Sequence, residues 1–394
     1  MIKKIYLSEP HLDRNDTNSV KKAIEDGWVS TAGKSIKNFE NLITNYTKSK
    51  YCVACNSGTS GLHIALKVVG VSNDDEVIVP SISFIATINA VKYNNANPIF
   101  IDVDKNFNLD EEKVLSFLKE NTYKKKGYSV NKKTKKIIKA IVIAHIWGGG
   151  AKIKKIIQES KKRNIKIVED AAESLGTFYT KKYFKKKHTG TVGDIGVLSF
   201  NGNKIITTGA GGAILTNNIN YEKKSRYLIN QAKNNDLFVH NELGYNYRIP
   251  SLNANLGISQ LKKISKIKKN KKKIHLSYKK KFLTSKIFEL YNFPKISENN
   301  YWMNLLILKK GIDKKFIEFL IKYTKKKIEF RKVWLPNERQ KNYIQNEKYK
   351  IIESKILYDN SICIPSSSNI KKKNISFIFK MTNDAYKKYN KSKN

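Results

Sequence analysis

The chain has 394 residues, is 40% hydrophobic and carries 76 Lys and Arg against 33 Asp and Glu, a formal net charge of +43. That length supports a large core divided into one big and one small domain. No apolar run approaches the ~18 residues of a membrane span and the first residues lack a signal-peptide core, so a cytoplasmic protein with no membrane partner is expected.

The positive excess is nearly all lysine, spread from end to end among isoleucine and asparagine, and arginine is scarce. Proteins that read bases and phosphates favour arginine forks beside exposed aromatics. The charge therefore reads as a solvated surface that helps attract an anionic substrate, and no nucleic-acid partner is expected.

Residues 1–15 form an arm of mixed character, followed by a helix over 16–26 and a loop over 27–33. A second helix, 35–48, sets Ile36, Phe39, Leu42 and Ile43 at three- and four-residue spacing. An alternation then begins. Strands are predicted at 51–55, 76–79, 98–103, 137–144 and 165–168, with helices after 61 and over 84–94, 110–120 and 151–163. Lysine-rich 121–136 reads as a surface hairpin or loop. Further on come a strand at 213–216, a helix at 220–233, a loop at 244–250 and a long helix from Ser251. Strand 303–308 and helix 312–323 suggest a smaller unit. Such alternation argues for a mostly parallel sheet with helices on both faces, whose ligands sit at the carboxyl ends of strands.

Two stretches carry the chemistry. Ser199-Phe200-Asn201-Gly202-Asn203-Lys204 leads into a glycine-rich turn ending Gly209-Ala210-Gly211-Gly212. A single amine in that setting would be poorly solvated and close to backbone, and such an amine can have a lowered pKa and act as a nucleophile toward a carbonyl. Upstream, the apolar run 166–168 enters Glu169-Asp170-Ala171-Ala172-Glu173-Ser174. A reactive lysine and an acid for a pyridinium nitrogen are the two protein groups that pyridoxal phosphate chemistry requires. Ser57-Gly58-Thr59-Ser60 opens a helix directly after a strand, where free amides and hydroxyls suit a phosphate. The same residues also suit an ordinary N-cap. His63 and His145 are read as core histidines, Trp28 and Trp147 as packing residues, and Cys52 and Cys55 as small core residues, with no metal site expected.

The runs Asn56 to His63, Val79 to Thr87, Glu169 to Ser174, Ser199 to Lys204 and Gly244 to Arg248 together resemble the fold-type I, pyridoxal phosphate-dependent nucleotide-sugar aminotransferases of the DegT/DnrJ/EryC1/StrS family. The resemblance covers about residues 5 to 370. Gly27 to Ser30, Phe200 to Ile205 and Ile364 to Ser367 look most like the 4-aminotransferases of the legionaminic acid and bacillosamine pathways.

It implies a three-layer α/β/α large domain with the arm in 1–250, and a connecting helix and small α+β domain in 251–394. It also implies roles for single residues. Lys204 joins the cofactor and shuttles a proton. Asp170 pairs with the ring nitrogen, Glu173 lies beside the ring hydroxyl, and Phe84 stacks on the ring. Gly58, Thr59, Ser60 and Ser199 hold the phosphate, joined by Asn246 from the partner subunit of a homodimer. Trp28, Thr31 and Asn203 are offered as sugar contacts.

The implied reaction moves an amine from L-glutamate to C4 of a nucleotide-linked 4-keto-6-deoxy sugar for a surface glycan. The first reading of that sugar is a UDP-2-acetamido hexose, and the alternative is GDP-4-keto-6-deoxymannose. A sugar dehydratase is the remaining alternative, but that branch has histidine where this chain has Lys204. Where relatives commonly carry an acid in the turn after the lysine, this chain has Ala210, a difference that bears on substrate choice.

Overall fold

Six apolar runs expected as strands, together with 195–199 and 348–349, which were not expected as strands, build one eight-stranded sheet in the computed structural model, which describes residues 4–234 and 238–393. Its main strands are Tyr51–Cys55 (β1), Glu76–Pro80 (β2), Asn97–Ile101 (β3), Ile138–Ala144 (β4), Lys166–Asp170 (β5), Ile195–Ser199 (β6) and Gly212–Thr216 (β7). In space they lie in the order β1-β7-β6-β5-β4-β2-β3, and Lys348–Tyr349 adds a last parallel pairing on β3. Only β7 is antiparallel to its neighbours; β6, β5, β4, β2 and β3 pair in parallel.

Strands buried on both faces need apolar residues at successive positions. Val77, Val79, Phe100, Ala140 and Val142 pack against helices Gly58–Val68 (α1), Ala86–Tyr93 (α2) and Ile219–Ile229 (α3). Their neighbours Ile78, Ile99, Ile101, Ile141 and Ile143 pack against Glu111–Glu120 and Lys154–Lys162 on the opposite face. The three-layer arrangement follows. Strand order reverses between β2 and β4, and the crevice at such a reversal is where sheets of this kind bind ligands.

The second unit is an antiparallel sheet of Phe288–Leu290 (β8), Asn304–Leu308 (β9), Arg331–Lys332 (β10) and Ser361–Ile364 (β11), in the order β8-β9-β11-β10. Helices Lys315–Thr324 and Lys372–Lys391 cover it with Phe316, Leu320, Ile378 and Ala385. The N-terminal arm reaches this unit through a bridge between Ile5 and Ile328.

Some elements differ from the sequence expectation. Residues 121–136 contain a β-hairpin, Thr122–Lys125 with Tyr128–Asn131, turned by Lys126 and Gly127 at φ 48° and 81°. The helix predicted to 233 stops at Ile229, because Gln231 and Ala232 take φ of 60° and 51°. The long helix from Ser251 is two helices, Ser251–Lys262 (α4) and Ile264–Phe282 (α5). At the break Lys263 turns its amine to Asp13 and Asp16 of the first helical segment. Among the described residues no helix is long and apolar enough to cross a membrane.

Backbone closeness beside β5 gives a direct stability test. A Cβ on Gly196 of β6 would stand 2.1 Å from the carbonyl oxygen of Gly190 and 2.7 Å from its Cα. Backbone cannot yield as a flexible side chain does. Gly196→Ala is expected to cost about 3 kcal/mol, the upper range for overpacking. A urea midpoint unchanged from wild type would show that this contact is not tight.

Candidate active site

The first part of the site is the junction of β1 and α1. Ser57 caps the helix, its Oγ accepting from the Ser60 amide at 3.1 Å. Ser60 Oγ is absorbed locally, donating to the Ser57 carbonyl at 2.9 Å and to Asn56. Gly58 and Thr59 line the cavity in the first turn of the helix, at its positive end, where amides have no partner within the helix. A Cβ on Gly58 would meet Ser199 Cβ at 2.9 Å, and one on Gly212 would meet the Ser57 carbonyl at 2.5 Å. Glycine at both positions brings β6, β7 and the helix start close enough to form a cup.

The acids sit at the end of β5. Asp170 is 7% exposed; its Oδ2 accepts from Thr87 Oγ1 at 2.6 Å and its Oδ1 from the Ala172 amide at 3.1 Å. Glu173 Oε2 accepts from the Trp147 amide at 2.7 Å, and its Oε1 lies 4.0 Å from Lys204 Nζ. Burial pushes the Glu173 carboxyl above its usual range, with Lys204 and the Trp147 amide pulling it back. The same burial pushes the Lys204 amine below its usual range, against the pull of Glu173 and Asp170.

Lys204 is held by a closed turn: its own amide donates to Asn201 at 3.0 Å, Phe200 donates to Gly211 at 2.8 Å and Thr208 donates to Phe200 at 2.9 Å. Its amine lies 4.3 Å from the centroid of the Trp302 ring. Trp147 is stacked on both Trp302 and Trp334.

A cavity of about 320 Å³ joins these groups. Gly58, Thr59, Phe84, Asp170, Glu173, Ser199, Asn203 and Lys204 all line it. Ser60, Trp28, Thr31 and Asn246 do not. Ser60 is buried behind its cap, while Trp28 and Asn246 are exposed elsewhere on the surface. Neither histidine is a free base. His145 binds Glu169 through Nε2 at 2.8 Å and accepts the Ala151 amide through Nδ1 at 3.1 Å, so both ring nitrogens are used. His63 lies among Tyr93, Tyr245 and Tyr247, and burial lowers its pKa to about 4.

Sequence reasoning missed Thr87, Trp302, Trp334 and Arg331. Arg331 lines the cavity with its guanidinium 4.3 Å from the Trp334 centroid, and its Nε and Nη2 are buried without a hydrogen-bond partner among the described residues. An isolated arginine in a lysine-dominated chain was the available signal.

These residues fit pyridoxal phosphate. The cup offers amides and the Ser199 hydroxyl to a phosphate, Phe84 offers a ring face, and Asp170 and Lys204 line the same cavity. Asn203 lines the same cavity, and its Oδ1 is buried with no hydrogen-bond partner among the described residues.

Comparison with known proteins agrees. The profile of the DegT/DnrJ/EryC1/StrS aminotransferase family matches residues 10–382. The chain is 30% identical to GDP-perosamine synthase of Escherichia coli O157:H7 over 98% of this chain and 99% of that one. It is 30% identical to the UDP-4-amino-4,6-dideoxy-N-acetyl-beta-L-altrosamine transaminase of Campylobacter jejuni over 75% of each. The fold superposes on the PLP form of Spr1654 from Streptococcus pneumoniae with a TM-score of 0.85, at 20% identity over 98% of this chain and 99% of that one. With the family profile spanning nearly the whole chain and the lysine, acid and phosphate cup in one cavity, this protein belongs to the DegT/DnrJ/EryC1/StrS family and is a pyridoxal phosphate-dependent aminotransferase.

Proposed function

We propose that the enzyme moves an amino group from L-glutamate to C4 of a nucleotide-linked 4-keto-6-deoxy hexose destined for a surface glycan. The observation that carries this reading is the Lys204 amine, buried 4.0 Å from Glu173 and 4.3 Å from the Trp302 centroid in the cavity that Asp170 also lines. The bound cofactor supplies an electron sink for the C–H bond beside the transferred nitrogen.

Lys204 Nζ takes the proton from the donor carbon and, in the second half of the cycle, delivers one to C4 of the sugar. Its lowered pKa leaves more free amine at neutral pH than an exposed lysine has, which suits a group that both accepts and gives a proton. Asp170, fixed by Thr87, would keep a proton on the ring nitrogen, because an adjacent carboxylate favours the cation. The amides of Gly58 and Thr59 and the hydroxyl of Ser199 would take the phosphate. The stacked indoles of Trp147, Trp302 and Trp334 form an apolar wall that limits water at the amine.

A UDP-2-acetamido-2,6-dideoxy-4-keto-hexose is the first reading of the acceptor, supported by the name of the Campylobacter jejuni relative. GDP-4-keto-6-deoxymannose is the second, favoured by the fuller coverage of the Escherichia coli relative. Mass spectrometry of products from a panel of UDP- and GDP-linked 4-keto sugars with glutamate should find one class gaining an amine. No amination of any member would overturn the proposal.

The reading also makes the enzyme a homodimer, with Asn246 serving the partner's phosphate cup; Asn246 is exposed and lies outside its own cavity. Sedimentation is expected to give a dimer, and a fully active monomer would be incompatible with shared sites.

A further inference from the structure

Lys271, midway along α5, is a buried amine that the reaction does not use. It is 4% exposed, and its Nζ donates to the carbonyls of Trp302 at 2.9 Å and Ser366 at 2.8 Å. No carboxylate pairs with it among the described residues, and burial pushes its pKa down to about 7. His275, one turn further along α5, is occupied with Asn304 Oδ1 at 2.8 Å. An apolar side chain would occupy such a site at lower cost, since a buried amine is penalised whenever it is charged. What the lysine adds is its grip on two carbonyls.

One of those carbonyls belongs to the residue that covers Lys204. The segment around Trp302 is not strand: Tyr301 takes φ 55°, a left-handed conformation that a bulky residue keeps only where its surroundings hold it. Asn300 anchors one side, donating to the carbonyls of Glu173 and Leu175 at 2.9 Å each and accepting the Trp302 amide at 2.8 Å. Lys271 anchors the other. Between them the indole donates through Nε1 to the Asn203 carbonyl at 2.7 Å and presents its face to the Lys204 amine.

We infer that Lys271 is a positioning residue: by holding the Trp302 carbonyl it keeps the indole over Lys204 and keeps that amine dry. The inference concerns the protein before any substrate binds. It therefore stands or falls separately from the sugar reading.

The test uses cofactor-free protein and trace labelling with acetic anhydride across a pH series, followed by peptide mapping of residue 204. The charged neighbours of Lys204, namely Glu173, Asp170 and Arg331, stay the same in every variant. Burial is the largest influence on Lys204, so wetting the amine should raise its labelling midpoint. Lys271→Met is expected to raise that midpoint by about half a pH unit or more, roughly a threefold fall in free amine below the midpoint. Trp302→Ala should shift it in the same direction, and the double variant should shift no further than Trp302→Ala alone. Lys271→Arg, which still donates to both carbonyls, should return it toward wild type. Should Lys271→Met fail to fold, Lys271→Gln, with one amide donor group, is expected to give a smaller rise. An unchanged midpoint in a folded Met or Gln variant, or shifts that add in the double variant, would overturn the inference.

Discussion

Lys204→Ala is expected to lower transamination by about 10³-fold or more, the upper part of the range for a positioned acid–base group. It should also remove the cofactor label that borohydride fixes on the peptide containing residue 204. The loss should be chemical, not structural. Lys204 is the last residue of a turn closed by backbone bonds among Phe200, Asn201, Thr208 and Gly211, and none of those bonds uses its side chain. Truncation removes an amine that burial has already pushed toward its neutral form, so little of the charge facing Glu173 is lost. Circular dichroism and the urea midpoint should therefore stay close to wild type. A small exogenous amine should recover part of the rate, because it can enter the space the side chain leaves and carry the proton. A label that persists on another lysine, or a rate within tenfold of wild type, would show that the reactive amine lies elsewhere.

Asp170→Asn is expected to slow turnover by about 10²- to 10³-fold while weakening cofactor binding much less. The substitution keeps shape and one acceptor for Thr87, whose bond to Oδ2 is 2.6 Å, but removes the negative charge. Without that charge a proton on the ring nitrogen is no longer favoured, the electron sink weakens and the barrier to proton transfer rises by several kcal/mol, each ~1.4 kcal/mol being tenfold in rate. Affinity falls less because the cup of Gly58, Thr59 and Ser199 and the face of Phe84 remain. The diagnostic is the split between kcat and cofactor Kd. If the variant binds cofactor normally and turns over within about threefold of wild type, well under 1 kcal/mol, Asp170 is a structural acid at the end of β5.

Much of this was legible in the sequence because it depends on neighbours along the chain. Strand positions follow from apolar runs, and a parallel sheet from their alternation with helical periods. The start of the helix at Ser57 to Ser60 is written as helix-cap grammar after a strand, Asp170 falls at the end of an expected strand, and Lys204 is marked by the serine before it and the glycine-rich turn after it. These features need only local spacing to be seen.

Other features required the chain to fold back on itself. Trp302, Arg331 and Trp334 lie about a hundred residues or more beyond Lys204 in sequence, on or beside the strands of the second sheet, and nothing local marks them as lining the cavity. Ser60 looked like a phosphate ligand until its hydroxyl was seen to be consumed by Ser57 and Asn56. The break at Lys263 follows no helix-breaking residue and comes with ion pairs to Asp13 and Asp16, about 250 residues away. The same holds for the amine of Lys271, one lysine among many until burial separates it from the rest. By itself the sequence determined most of the strands, the helix start at Ser57 to Ser60, and the lysine and acid on which the candidate site is built; the strand at 195–199 that leads to Lys204 was not marked by it. Only tertiary structure decided which of the many charged and aromatic side chains share their space, because burial and desolvation are properties of the assembled packing and not of any stretch of chain.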